Sequence, residues 1–260
     1  MIISASSYAL RAQAYCNRCA ANGANLTALQ QGATLRLTKA LDDIGLAKFL
    51  AVYPFLGAVA GTTKLNLLSE AGTYDLTWAG GITHGAAGVT GNGTTGYGNT
   101  GLAETALTED SHHLAVYQRG SESAAFRGHG LARAGGVAPI VATSYDVTTN
   151  QAGQSNGVIV PVTAAPTVLG LLTLSRTSYS SATLYQGGTV AGTNTTDTSG
   201  VTKAAQNLFL LARNDGTGTA ELWASAQIGF ASVGTGLTAA EVTALWTAVQ
   251  TWATELGRNV

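Results

Sequence analysis

The chain has 260 residues, a formal net charge of −1, and 10% charged against 45% hydrophobic residues. So weak a charge leaves no basic footprint for nucleic acid or an anionic membrane, and the composition is not that of a disordered chain. No apolar run approaches the ~20 residues of a membrane span, so no membrane insertion is expected.

The start, MIISASSYALRAQAYC, lacks the basic and apolar blocks of a secretory signal, so exit from a cell is expected by a route such as lysis. Residues 1–48 read as a helical arm with five basic and two acidic side chains. A first helix is predicted from Ser7 to Ala21, broken at Asn22-Gly23. Tyr8, Ala12, Tyr15, Cys16, Cys19 and Ala20 share one face of it. Cys16 and Cys19 form a CxxC, but the four histidines lie far off and no βαβ pattern adjoins. Both thiols therefore read as small core residues, without metal or redox work. A second helix starts at Thr27, which stands at capping-box spacing from Gln30, and ends at Gly45. Leu29, Ala33, Leu37, Ala40, Leu41 and Ile44 form its stripe.

From Lys64 onward the pattern turns to short runs rich in β-branched and aromatic residues. KLNLL, YDLTW, HHLAVYQR, APIVATSY, GVIVPV, LGLLTLSR, ATLYQGG, NLFLLAR and ELWASAQIGFASVG follow one another between Gly, Asn, Ser and Asp clusters. Leu169, Leu171 and Thr173 alternate with Gly170, Leu172 and Leu174, as a two-faced strand requires. Residues 49–260 are thus expected to be mainly β, an antiparallel sandwich or barrel with the jelly roll as one member. The end of the chain returns to helix over 238–256. Thr238 and Glu241 make a second capping box, flanked by Leu237 and Val242 at staple positions. Val242, Leu245, Trp246, Val249, Trp252 and Leu256 form one apolar stripe, stopped by Gly257.

Familiar catalytic patterns are missing. The fourteen acids are scattered, and the close pairs Asp42-Asp43 and Glu109-Asp110 sit in a helix and a loop, not on one strand face as a glycosidase pair would. No G-x-S-x-G occurs, and His112 and His113 of DSHH would point to opposite faces of a strand. GNGTTGYGNTG holds G-x-G-x-x-G twice, at Gly91 and Gly96, but no helical pattern follows, so turns and a thin strand are the better reading. NDGTG at Asn214 and NTTDTSG at Asn194 read as turns and lack the ligand count for calcium. Within the glycine-rich segment, Asn92, Tyr97 and Asn99 would offer an aromatic face and amide donors to a sugar, with His84 as a candidate neighbour.

LSRTSYSSATLYQGGTVAG resembles the hairpin of laminin-G and concanavalin A-like domains, the match resting on Tyr185 and Gly187-Gly188. The ending from NLFLLARNDG through GLTAAEV to LGR resembles that of a group of bacteriophage virion proteins built on this jelly roll. AVYPFLG and GGITHGAAGVTGNGTTGYGNTGL resemble the front half of the same group, so the resemblance spans about Leu46 to Arg258. It implies a concanavalin A-like jelly roll with the last helix packed on the sandwich. It also implies a non-enzymatic structural protein located in the virion, with no cofactor.

On that reading the jelly roll is displayed on a tail, fibre or baseplate for attachment to host glycan. The arm would dock it to capsid or tail subunits or to further copies of itself, through Tyr8, Tyr15, Leu29, Leu37 and Leu41. Capsid decoration, a stand-alone lectin-like module and, last, a glycan-degrading enzyme are the alternatives. The low charge density fits either an assembled surface or one made of Thr, Ser, Asn and Gly.

Overall fold

A computed structural model describes residues 6–120, 128–131, 140–142, 151–155, 158–161, 169–200, 203 and 205–260. The outer ends of APIVATSY and GVIVPV lie outside these residues. In chain order the first elements are α1 (Ser7–Ala21), α2 (Ala28–Ile44), β1 (Phe49–Tyr53), α3 (Ala60–Thr63), β2 (Thr77–Ala79) and β3 (Ile82–Gly85). Then come β4 (Gly88–Gly91), β5 (Tyr97–Ala103), β6 (His112–Gln118), β7 (Gly128–Leu131), β8 (Ile140–Ala142), β9 (Gln151–Ser155) and β10 (Val158–Pro161). The remainder are β11 (Gly170–Ser178), β12 (Ser181–Gln186), β13 (Thr189–Asn194), β14 (Asn207–Leu210), β15 (Arg213–Asn214), β16 (Ala220–Glu221), β17 (Gln227–Gly234) and α4 (Ala239–Glu255).

Two sheets stack as the alternating pattern requires. The first runs β13-β12-β11-β6-β17-β4-β3, with β1 beside β17; the second runs β10-β9-β8-β7-β14-β5-β2. Pairing is antiparallel except for a short β15–β7 contact. Leu114, Val116, Leu172 and Leu174 point between the sheets, where they meet Leu102, Leu208 and Leu210 of the second sheet. Their strand neighbours Ala115, Tyr117 and Leu171 point the other way, into a second core. Along β17 the alternation slips at Gly229: Ile228 and Ala231 face the first core while Phe230 faces the second. The register shift there is a bulge, which re-aims the strand. The expected antiparallel sandwich with a terminal helix is the architecture observed.

Three helices close the second core. In α4, Val242, Leu245, Val249 and Trp252 are buried against the sheet, behind the expected capping box of Thr238 and Glu241. Arg258, just past the helix, is buried and spans two carbonyls, Pro54 O at 3.2 Å and Phe55 O at 3.4 Å. Its guanidinium also lies 5.3 Å from the Trp252 ring centroid, a cation–π contact. These bonds hold Phe55 at φ 45°, a left-handed conformation that strains a bulky residue.

The N-terminal helices fall on the expected residues, α1 ending at Asn22 and α2 opening on the Thr27–Gln30 box. They do not reach away from the body. Tyr15, Cys16, Cys19, Leu37 and Leu41 enter the same core as α4 and Phe230. Arg36 grips Glu255 of α4 bidentately at 2.8 and 3.1 Å, and Arg18 pairs with Asp75. The change at residue 48 is one of secondary structure and not a break in packing. Tyr15, Leu37 and Leu41 are consequently corrected from docking residues to core, since an interface needs exposed atoms. Tyr8 is half-buried and Leu29 is 56% exposed. Thr34 and Thr38 take the buried positions expected of Leu29's stripe, their hydroxyls bonding back to Gln30 O and Thr34 O.

Some strand expectations fail for local reasons. KLNLL does not pair as a strand: Leu65 and Leu67 are core, and the Asn66 side chain replaces a ladder by accepting from Val52 N at 2.9 Å and Leu68 N at 3.1 Å. NLFLLAR breaks at Leu211 and ELWASAQIGFASVG at Leu222, where φ is 64° and 51°. YDLTW yields strand only from Thr77.

Because the helical layer completes a core, deletion of residues 1–45 should leave an aggregating or early-melting body. Leu41→Ala should lower unfolding free energy by about 2–5 kcal/mol, while Leu29→Ala should change it by about 0.5 kcal/mol or less. Urea titrations of the two variants check this; equal effects would place the helices outside the core.

Candidate functional site

With α1, α2 and α4 over the first sheet, the outward face of the second sheet carries the uncharged polar groups singled out from the sequence. In β5, Thr100 and Leu102 turn inward, while Tyr97 and Asn99 turn outward and are half-buried. Asn99 stands opposite Thr77 of β2 and Phe209 of β14. The Tyr97 ring lies 4.6 Å from the Phe209 ring at 34°, and Phe209 is buried, so the tyrosine is braced from behind. Asn99 Oδ1 accepts from Gly101 N at 2.9 Å. Its amide NH2, the Tyr97 phenol and the Thr77 hydroxyl have no hydrogen-bond partner among the described residues. The result is a short row of neutral donors beside a stiffened aromatic ring.

The other two candidates stand apart from this row. Asn92 spends its side chain on the β4–β5 turn, accepting from Thr94, Thr95 and Gly96 N–H groups and donating to Thr95 Oγ1 at 2.8 Å. It shapes the turn by which the chain leaves the first sheet and enters the second at Tyr97. His84 belongs to the first sheet, where Nδ1 meets Thr63 Oγ1 at 2.8 Å and the ring stands edge-on to Trp78 at 5.2 Å. Trp78 in turn lies over Gly98, where a Cβ would come 2.7 Å from the indole. Thr77 and Phe209 were not singled out from sequence. Each shares its strand with better core formers, and only the alternation about Trp78 and about Leu208 and Leu210 marks them as outward.

Several of the described residues with catalytic or metal-binding chemistry are engaged elsewhere. His112 and His113 are both buried on opposite faces of β6. His113 Nδ1–H donates to Thr235 O at 2.6 Å, leaving Nε2 to accept from Ser232 Oγ at 3.1 Å. His112 Nδ1–H donates to Thr108 O at 2.9 Å. Burial pushes both imidazoles down to about 4, with Arg176 adding to the effect at His112 and Lys48 at His113. Burial likewise drives the Cys19 thiol up to about 12, so it is a packed thiol and not a nucleophile. Asp43, Asp75, Glu221, Glu241 and Glu255 are tied to cations. The carboxyl shifts resolved, at Asp215 and Glu241, run downward, opposite to the direction a general acid needs. The Gly91–Gly101 segment crosses from β4 of the first sheet to β5 of the second, and only a single 3-10 turn, Glu104–Ala106, follows β5, not the long helix a dinucleotide site needs. Among the described residues, no group of three His, Cys, Asp or Glu side chains could hold a metal ion.

No family model matches the chain, and no curated protein does. Solved structures do. Domain 4 of AbnA, a GH43 extracellular arabinanase from Geobacillus stearothermophilus, in complex with arabinotriose, superposes with a TM-score of 0.53 and 18% identity over 76% of this chain and 98% of that one. The binding domain of botulinum neurotoxin DC, in complex with rat synaptotagmin II, gives a TM-score of 0.49 at 8% identity over 78% of this chain and 52% of that one. The likeness to the arabinanase domain, at 18% identity, is one of fold alone, the antiparallel β-sandwich.

The histidines make stability depend on pH. An unfolded histidine titrates near 6.5, so between about 6.5 and 4 the unfolded chain binds protons that the fold refuses. Stability should be full above this window and fall as pH drops through it, by about 3 kcal/mol for each ring. Melting temperature measured from pH 7 to 4 should decline steeply, and His113→Asn should flatten the slope. A flat profile for the parent would contradict the buried neutral pair.

Proposed function

We propose that the protein is a non-enzymatic adhesive module of a bacteriophage particle, and that the outward face of its second sheet contacts host surface glycan. One observation carries the adhesive reading: neutral donors at Tyr97, Asn99 and Thr77 share a face with a braced aromatic ring. Sugars are bound by this combination, the ring covering their apolar C–H face and the donors meeting their hydroxyls. Helices cover the opposite sheet, so the polar face points away from the buried layers. The arabinanase domain seen with arabinotriose offers a precedent for sugar binding on this architecture.

Placement in a virion rests on the sequence resemblance, carried by the Ala-Arg-Asn strand end, the Gly-Leu-Thr helix start and the closing Leu-Gly-Arg. The fold gives the last of these a purpose, since Arg258 anchors the tail in the core. With Tyr15, Leu37 and Leu41 in the core, surface contacts to other virion proteins or to a second copy would fall to groups such as Leu29 and Leu10, which are 56% and 57% exposed.

On an array of bacterial surface glycans the purified chain should bind a subset without releasing reducing ends. Tyr97→Ala should weaken that binding about tenfold, equivalent to ~1.4 kcal/mol, with unchanged melting temperature. Antibody labelling of intact phage particles should detect the chain. Reducing-end release, or full affinity in the Tyr97 variant, would overturn the adhesive face.

A further inference from the structure

At the edge of β2, next to the proposed glycan face, a hollow of about 290 Å³ is lined by Ala60, Gly61, Lys64, Leu76, Thr77 and Trp78. Chain segments far apart in sequence build it. Leu76 N–H donates to Lys64 O at 2.8 Å, which sets the residue after α3 beside the start of β2. Trp78 is fixed by Gly98 beneath it, by the Phe55 ring at 6.2 Å, and by His84. His84 is itself held by Thr63, immediately before Lys64.

Lys64 is distinctive among the cations. Every other described lysine or arginine side chain hydrogen-bonds to a carboxylate, a carbonyl or an amide oxygen. Among the described residues the Lys64 ammonium has no such partner, and no acidic residue lines its hollow. In a chain that pairs its few charges so thoroughly, a cation left open beside an indole marks a place for an anion that comes from outside.

The geometry points to a subsite for a sugar ring that bears a carboxylate, of the uronate or sialate class. Trp78, partly buried, supplies an apolar wall for the ring, Thr77 a hydroxyl at the strand edge, and Lys64 the countercharge. The volume sits at the low end of the ~300–1,000 Å³ usual for ligand pockets, so it suits one ring with its substituents. A single ammonium, without an Arg fork or a second cation, matches a singly charged carboxylate better than a phosphate. Thr77 lies on both the hollow and the open face, so the subsite continues that face over the sheet edge. The inference rests on the proposed glycan-binding role and adds a charge preference to it.

The test compares the full chain with Lys64→Gln on paired glycans: uronate-containing ones against their carboxyl-reduced forms, and sialylated ones against desialylated forms. The parent should bind at least one carboxylated class about fivefold more tightly than its neutral partner, and added salt should erode the advantage. Lys64→Gln should abolish that preference while leaving neutral-glycan binding and melting temperature unchanged. Whichever pair shows the preference identifies the source of the carboxylate. If neutral glycans bind and the parent shows no preference, or the variant keeps it, the subsite is refuted and the adhesive face stands. If no glycan of either kind binds, both fall.

Discussion

The fold depends on a sheet that is apolar on both sides. All seven residues of β6 are buried, and β11 is buried through Arg176. A strand of this kind cannot rest against one layer only, because its second face would meet water. The second sheet covers one face and α4, with α1 and α2, covers the other. Three layers follow from that single requirement. It also explains why a β protein ends in a helix whose buried stripe includes Trp252.

The same requirement leaves the outward side of the second sheet as the face where the candidate donors stand. Its character comes from charge economy. Lys48–Glu241, Arg36–Glu255 and Arg18–Asp75 fasten helices and their approaches to the body, so much of the small charge complement holds layers together. The exposed positions of α4 are filled by Ala239, Ala240, Thr243, Ala244, Thr247, Thr251 and Thr254. Such a surface recognises partners through hydroxyls, amides and rings, and an unpaired ammonium such as that of Lys64 then counts for more than it would on a highly charged protein.

Glycine makes the candidate face possible. Gly98 leaves room for the Trp78 indole against β5, and alternation along the strand turns its neighbours Tyr97 and Asn99 to the other face. Asn92 was chosen from sequence as a ligand residue for its amide, yet that amide is consumed by its own turn. An asparagine in a glycine-rich segment serves a turn or a ligand equally well on paper, and only its bonding tells which.

What the sequence determined by itself was whatever is held by near neighbours along the chain. Both capping boxes, the helix ends at Asn22 and Gly45, and the alternation through β6 and β11 were all legible, because caps and strand faces are short-range geometry. The tertiary structure alone decided that the first two helices close a core, that Asn66 completes β1 where a strand was expected, that Phe209 braces Tyr97, and that Lys64 opens beside Trp78. Each of these joins segments distant in sequence through packing against a common sheet, and no local pattern encodes which apolar stripe will meet which face.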